Sequence, residues 1–237
     1  ASIGRSISYT GVMAVGMTFV IITGGIDLTV GSVFGLAGVV IGICLQSNVS
    51  LAISILLGLL TGVLVGALNG LAITKIGLPP FIVTLSLMNI TRGMAQGFTS
   101  GSPIKIPDSL KALAIGDFIG IPYTVCYMIV LAVIFSLILS KTVFGRQVYA
   151  LGGNEDAARL SGLNTTKLKV FVYAISGFLA AFAGIMTTAR LGVAQSANGD
   201  GYEMDVIASV VIGGTSMTGG KGTIIGSLIG AVIMGVL

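Results

Sequence analysis

Apolar runs of membrane-spanning length recur along almost the whole chain, near residues 3 to 23, 31 to 46, 51 to 73, 79 to 98, 123 to 140, 168 to 190 and 223 to 237. Spanning the hydrocarbon core takes about 20 consecutive apolar residues at 1.5 Å each, so each run predicts a helix in or across a bilayer. A shorter run, Met204 to Ile212, is too brief to cross alone. It predicts half of a broken helix or a re-entrant segment, which is stable only where protein or a water-filled cavity covers its backbone. No strand is required, because a barrel would need short alternating segments that this pattern lacks. The apolar pattern has one long polar interruption, Lys141 to Lys169, carrying five basic and two acidic side chains.

Composition agrees with lipid as the solvent: the chain is 54% hydrophobic and 8% charged, with mean hydropathy +1.07. Lys and Arg concentrate in cytoplasmic loops, which places 141–169 in the cytosol. Propagating sides outward puts Lys75 inside. It puts Ser100 to Pro122 outside, with Lys105 and Lys111 balanced by Asp108 and Asp117. It also puts Gly192 to Asp205 outside, with Asp200, Glu203 and Asp205 and no basic residue. The net charge of +4 is therefore explained by orientation, and no polybasic patch is left for nucleic acid. Cys44 and Cys126 sit in separate apolar runs and read as packing residues. No cleavable signal pattern opens the chain. Its last run closes at Leu237 after too few residues to span, so we expect the polypeptide to continue past both ends.

Glycine, with 36 copies, is the second organising feature. Gly58, Gly62, Gly66 and Gly70 recur every four residues on the third run, and Gly222, Gly226 and Gly230 repeat the spacing. Such a face lets a neighbouring backbone approach closely, which substitutes in lipid for the missing hydrophobic drive between helices. Two glycine-rich breaks, GGIDLTVGS (Gly24 to Ser32) and GGTSMTGGKGT (Gly213 to Thr223), both begin Gly-Gly and hint at an internal repeat. Unwound backbone at membrane depth can line a solute path. Asp27, in the first break, reads either as a cap for a helix beginning near Leu28 or as a pathway or gating group.

Several chemistries are absent. GTSMTGGKGT resembles a phosphate-binding loop, but Gly222 follows Lys221 where Ser or Thr is needed, and the first glycine is misplaced. With no His, a histidine base is excluded, and no CxxC offers a zinc site. Only Asp27 and Arg92 are candidate mid-span charges, whereas an ion-coupled carrier normally keeps paired ionisable groups there. Uncharged Asn69, Thr84, Asn89, Thr91 and Gln96 can hydrogen-bond solute hydroxyls and are, with Asp27, the candidate lining of a translocation path. Energy is expected to enter through the cytosolic loop, where ALGGNEDAARLSGLN reads as one short amphipathic helix. Leu151, Ala158 and Leu163 are apolar there, and its small residues permit close docking by a partner.

Glu155, Ala157, Ala158 and Gly162 look like the EAA-type coupling motif of ABC importer permeases. The longer context FGRQVYALGGNEDAARLSGLN, with GGIDLTVGSV upstream and DVIASVVIGGTSMTGGKGT downstream, resembles the ribose/xylose/galactose type of sugar permease over nearly the whole chain. The I-x-L-P of the general motif does not follow Gly162. The resemblance implies an all-α polytopic permease of the vitamin-B12-importer-like (type II) architecture, with 1–237 as one transmembrane domain and 141–169 as its cytosolic coupling loop. About ten helices are implied in a full chain and about eight here. It assigns Gly152, Gly153, Asn154, Glu155, Ala157, Ala158, Arg159 and Gly162 to coupling with a cytosolic ABC ATPase, where ATP and Mg would be bound. It further implies a second permease subunit, the same or different, a periplasmic sugar-binding protein, and the bacterial inner membrane. No cofactor, metal or catalytic residue is expected in this chain. The rivals are a related permease for an amino acid or autoinducer and an ion-coupled carrier or channel dependent on Asp27 or Arg92.

Overall fold

The structure, a computed structural model, describes residues 2–236, so Leu237 lies outside the described residues. Helices α1 (Ser2–Ile22), α2 (Val30–Gln46), α3 (Leu51–Ile76) and α4 (Pro80–Thr99) follow the first four apolar runs. The connection after α4 holds a short helix, α5 (Asp108–Lys111), and leads to α6 (Tyr123–Lys141). The polar interruption forms two helices, α7 (Val143–Gly153) and α8 (Glu155–Leu160), before α9 (Thr165–Leu191). The chain ends in a short pair, α10 (Tyr202–Ile212) and α11 (Ile224–Val236). Four helices, α1, α3, α6 and α9, are long and apolar enough to cross a membrane among the described residues.

Helix limits follow local signals that apolarity alone does not carry. α3 runs past its last strongly apolar turn to Ile76 and stops at Gly77, whose φ of 75° favours glycine, before two prolines. α9 begins three residues before its apolar run because the Asn164 side chain accepts from the Lys167 amide at 2.9 Å. In the polar loop one helix was expected and two form. The side chain of Asn154 caps the Ala157 amide, so its own backbone is extended and interrupts the helix there.

Contact pairs give the helix directions. Gly58 faces Ile185, Gly62 faces Gly177, Gly66 faces Tyr173 and Gly70 faces Val170, so α3 runs antiparallel to α9 with backbones in direct contact. Phe34 of α2 lies against Gly184 and Gly38 against Thr188, so α2 runs parallel to α9. Gly226 and Gly230 of α11 face Gly213 and Ser209, making α10 and α11 an antiparallel hairpin. α1, α2 and α9 form the buried centre, with Met13, Met17, Phe19, Phe34 and Leu179 fully enclosed. Rows such as Leu56, Leu60, Leu64 and Leu68 on α3 and Val130, Val133 and Leu137 on α6 are exposed, as faces in lipid should be.

Two features depart from expectation. Short strands do occur: β1 (Ile104–Lys105) pairs antiparallel with β4 (Val193–Ala194), and β2 (Asp117–Phe118) with β3 (Ile121–Pro122). The β1–β4 ladder fastens the α4–α6 connection to the segment after α9 and lies against Gly42 of α2, while β2–β3 closes a hairpin within the α4–α6 connection. The segment after β4 also does not stay at the helix ends. Gly35 of α2 faces the carbonyls of Ser196 and Asn198, and Gly31 faces Gly199. Gly31 lies about 20 Å along α2 from Gln46, so the turn carrying Asp200 descends deep beside that helix. The missing side chains at Gly31, Gly35 and Gly199 leave the groove it occupies.

Candidate functional site

Asp27 is wholly buried in the break between α1 and α2. One carboxylate oxygen accepts from the Thr29 amide at 3.0 Å, the Thr29 hydroxyl at 2.5 Å and the Asn69 amide nitrogen at 3.3 Å. The other accepts from the Ser176 hydroxyl at 2.8 Å. A carboxylate only accepts, and every surrounding group donates. The arrangement ties the α1–α2 break to α3 through Asn69 and to α9 through Ser176. Helix α2 begins at Val30 with Thr29 as its N-cap, so Asp27 lies too early to cap it. The cap reading gives way to that of a buried junction joining the first break to α3 and α9. Ser176 was not legible as a partner, since it lies 149 residues from Asp27 in sequence.

The other candidate lining residues divide into two groups. Asn69 is enclosed with Asp27. Thr84 reaches the Ile26 carbonyl at 3.3 Å, and Thr91 meets Ser32 at 2.6 Å. All three are buried, and with Asp27 they fasten α3 and α4 to the first break. Asn89 and Gln96 are exposed on α4, on the same side as Ser86, Gly93 and Gly97. A side chain at Gly93 or Gly97 would meet nothing within 4 Å. Beside this stripe, Arg92 pairs with Asp200 at 2.9 Å and lies 3.9 Å from Glu203, so α4 is held to the descending turn and the start of α10.

In the polar segment 141–169 the eight candidate coupling residues also point in different directions. Gly153, Asn154, Glu155, Ala157, Arg159 and Gly162 are exposed. Glu155 is paired with Lys169 at 2.7 Å and Arg159 with Asp156, so their charges are partly satisfied within the chain. Ala158 is buried, and at half-buried Gly152 an added side chain would face inward against the Ile22 carbonyl and the Gly220 amide. Leu160 was missed: it is 88% exposed at the end of α8, an apolar side chain with nothing of its own to pack on. Its position two residues after buried Ala158 is the signal that could have found it. Tyr149 was missed as well; its hydroxyl donates to the Gly222 carbonyl at 2.7 Å.

Apolar helix faces, glycine breaks and a polar segment at one end fit a multi-pass α-helical membrane protein. Over residues 1–237 the chain matches the family described as branched-chain amino acid transport system / permease component, and it belongs to that family. It is 46% identical over 236 residues to the ribose import permease protein RbsC of Bacillus subtilis (strain 168), covering 98% of this chain and 73% of the relative. It is 40% identical over 234 residues to the L-arabinose transport system permease protein AraH of Escherichia coli (strain K12), covering 98% and 71%. The probable ABC transporter permease protein YphD of Escherichia coli (strain K12) is 40% identical over 232 residues, covering 97% and 70%. These relatives agree with the family resemblance drawn from the three sequence matches. No solved structure matches the chain.

Proposed function

We propose that this chain is the membrane permease subunit of an ATP-driven ABC importer for a monosaccharide, a pentose or hexose with a ribose-like sugar favoured. The observation that carries the reading is the exposed stripe on α4, where Ser86, Asn89 and Gln96 offer amides and hydroxyls without a fixed charge. Such groups can exchange hydrogen bonds with sugar hydroxyls, and an exposed amide facing hydrocarbon would be costly. The ion-coupled alternative is disfavoured by the charges at that depth, since Arg92 is paired with Asp200 and Asp27 is enclosed by four hydrogen bonds. The family description favours a second reading, an amino-acid permease. A zwitterionic solute would call for fixed opposite charges along the path, and α4 presents none on this stripe.

In this reading the chain has no catalytic residue. ATP and Mg are bound by a cytosolic ABC ATPase, a periplasmic binding protein delivers the sugar, and a second permease subunit, identical or related, completes the path in a bacterial inner membrane. The type II architecture, with about ten helices in a full chain, belongs to the same reading. Leu160 and Ala157 on the exposed side of α8 form the apolar contact with the ATPase.

The test is uptake into proteoliposomes holding the permease, its ATPase and its binding protein. ATP-dependent accumulation of labelled ribose or arabinose is expected, and accumulation of labelled leucine without sugar would overturn the sugar assignment. Asn89→Leu with Gln96→Leu should lower sugar uptake about tenfold while the complex stays assembled, because two hydrogen-bonding positions are lost. Leu160→Asp should weaken co-purification of the ATPase about 30-fold, as loss of an interface anchor costs about 2 kcal/mol. Unchanged co-purification would remove α8 from the interface.

A further inference from the structure

The inward side of α7 meets two glycine breaks at one point. Tyr149 donates to the Gly222 carbonyl at 2.7 Å, from a ring that is half-buried. Gly152 lies so close to the Ile22 carbonyl that a side chain there would collide with it, and would stand 2.7 Å from the Gly220 amide. That amide donates to the same Ile22 carbonyl at 2.8 Å. Gly219 and Gly220 have φ of 85° and 73°, and a side chain on Gly219 would lie 2.7 Å from the Gly152 carbonyl and 3.1 Å from the Gly24 amide. Three backbone segments distant in sequence therefore touch without side chains between them.

This geometry has a mechanical consequence. Side-chain contacts absorb small displacements by changing rotamer, whereas backbone packed on backbone transmits them. α8, the exposed docking helix, is joined to α7 through the single residue Asn154. Beyond the contact point, the second break leads into the α10–α11 hairpin. The start of that hairpin is held to α4 through Glu203, Asp200 and Arg92. The first break leads to Asp27 and the junction with α3 and α9.

From this arrangement we infer that Tyr149 and Gly152 are positioning residues through which movement of the docked α8 reaches both glycine breaks, and through the α10–α11 hairpin reaches α4. The inference rests on the proposed transport reading, because it assigns the route by which ATPase motion is used. Tyr149 fixes α7 to the second break, and Gly152 keys α7 between the two breaks. Neither residue is needed for the ATPase to bind, since both face away from the exposed side of α8.

The experiment compares solute transported per ATP hydrolysed in proteoliposomes of the complete complex. Tyr149→Phe should leave ATPase co-purification and hydrolysis near wild type while transport per ATP falls about fivefold, the equilibrium weight of one hydrogen bond. Gly152→Ala should lower the ratio further, because its methyl group displaces α7 from the Ile22 carbonyl. Tyr127→Phe is the control: its hydroxyl likewise donates to a backbone carbonyl, Leu113 at 3.0 Å, in the connection after α4. That variant should keep the wild-type ratio. If Gly152→Ala fails to assemble, Tyr149→Phe alone decides. A wild-type ratio in Tyr149→Phe, with wild-type transport intact, overturns the inference and leaves the proposed function standing. A wild-type complex that neither transports nor hydrolyses overturns both.

Discussion

Asp27→Ala should destabilise the protein by about 3 to 4 kcal/mol, because a buried donor left without its acceptor costs about 1 to 3 kcal/mol and several lose theirs together. The Thr29 amide, Thr29 hydroxyl, Asn69 amide and Ser176 hydroxyl all point at the carboxylate, and none has water within reach in so enclosed a site. Asp27→Ser is the informative comparison. A serine could still serve a local turn at Thr29, but it is too short to meet Asn69 and Ser176, so it should melt almost as early as the alanine variant. Asp27→Asn keeps one accepting oxygen and lets the Ser176 hydroxyl turn to accept, so its loss should be about 1 kcal/mol. Melting temperature in detergent, followed with uptake, reads all three. A serine variant as stable as the wild type would mean that only the local turn matters and that the links to α3 and α9 carry no weight.

Gly62→Leu is expected to cost about 3 kcal/mol or more, at the upper end of what overpacking does in a well-filled contact. A side chain there would run into the Gly177 carbonyl of α9 and come within 2.6 Å of the Ala181 methyl. The obstacle is backbone, which cannot turn aside, and the same α3–α9 contact lies next to Ser176. The two helices would have to separate, which also strains the link from Asn69 to Asp27. Leu60→Phe sits two residues away on an exposed face and should change stability by less than about 0.5 kcal/mol. Detergent melting and the yield of monodisperse protein separate the two. Equal tolerance would show that α3 and α9 do not depend on close approach.

The residues on α4 and in the polar segment show how the two levels of information differ. Asn89 and Thr91 are two positions apart and chemically similar, yet one is exposed and the other is bonded to Ser32. Gly152 and Gly153 are adjacent and identical, yet a side chain on the first would run into the Ile22 carbonyl and one on the second would meet nothing within 4 Å. A side chain's type states which bonds it can make. It does not state which helix lies opposite.

By itself the sequence determined what is local or set by the solvent. Spanning length and apolarity marked where the long helices lie, because the hydrocarbon core admits few alternatives. Clustered basic residues marked the polar segment, and four-residue glycine spacing marked a face on α3 able to take a close neighbour. Tertiary structure alone decided which distant groups meet: Asp27 with Asn69 and Ser176, Arg92 with Asp200, and α7 with both breaks. It also carried the acidic turn down beside α2, into a groove left by glycines on two segments far apart in sequence. Such contacts are fixed by how whole helices stack, and each helix offers several faces that satisfy the same local rules.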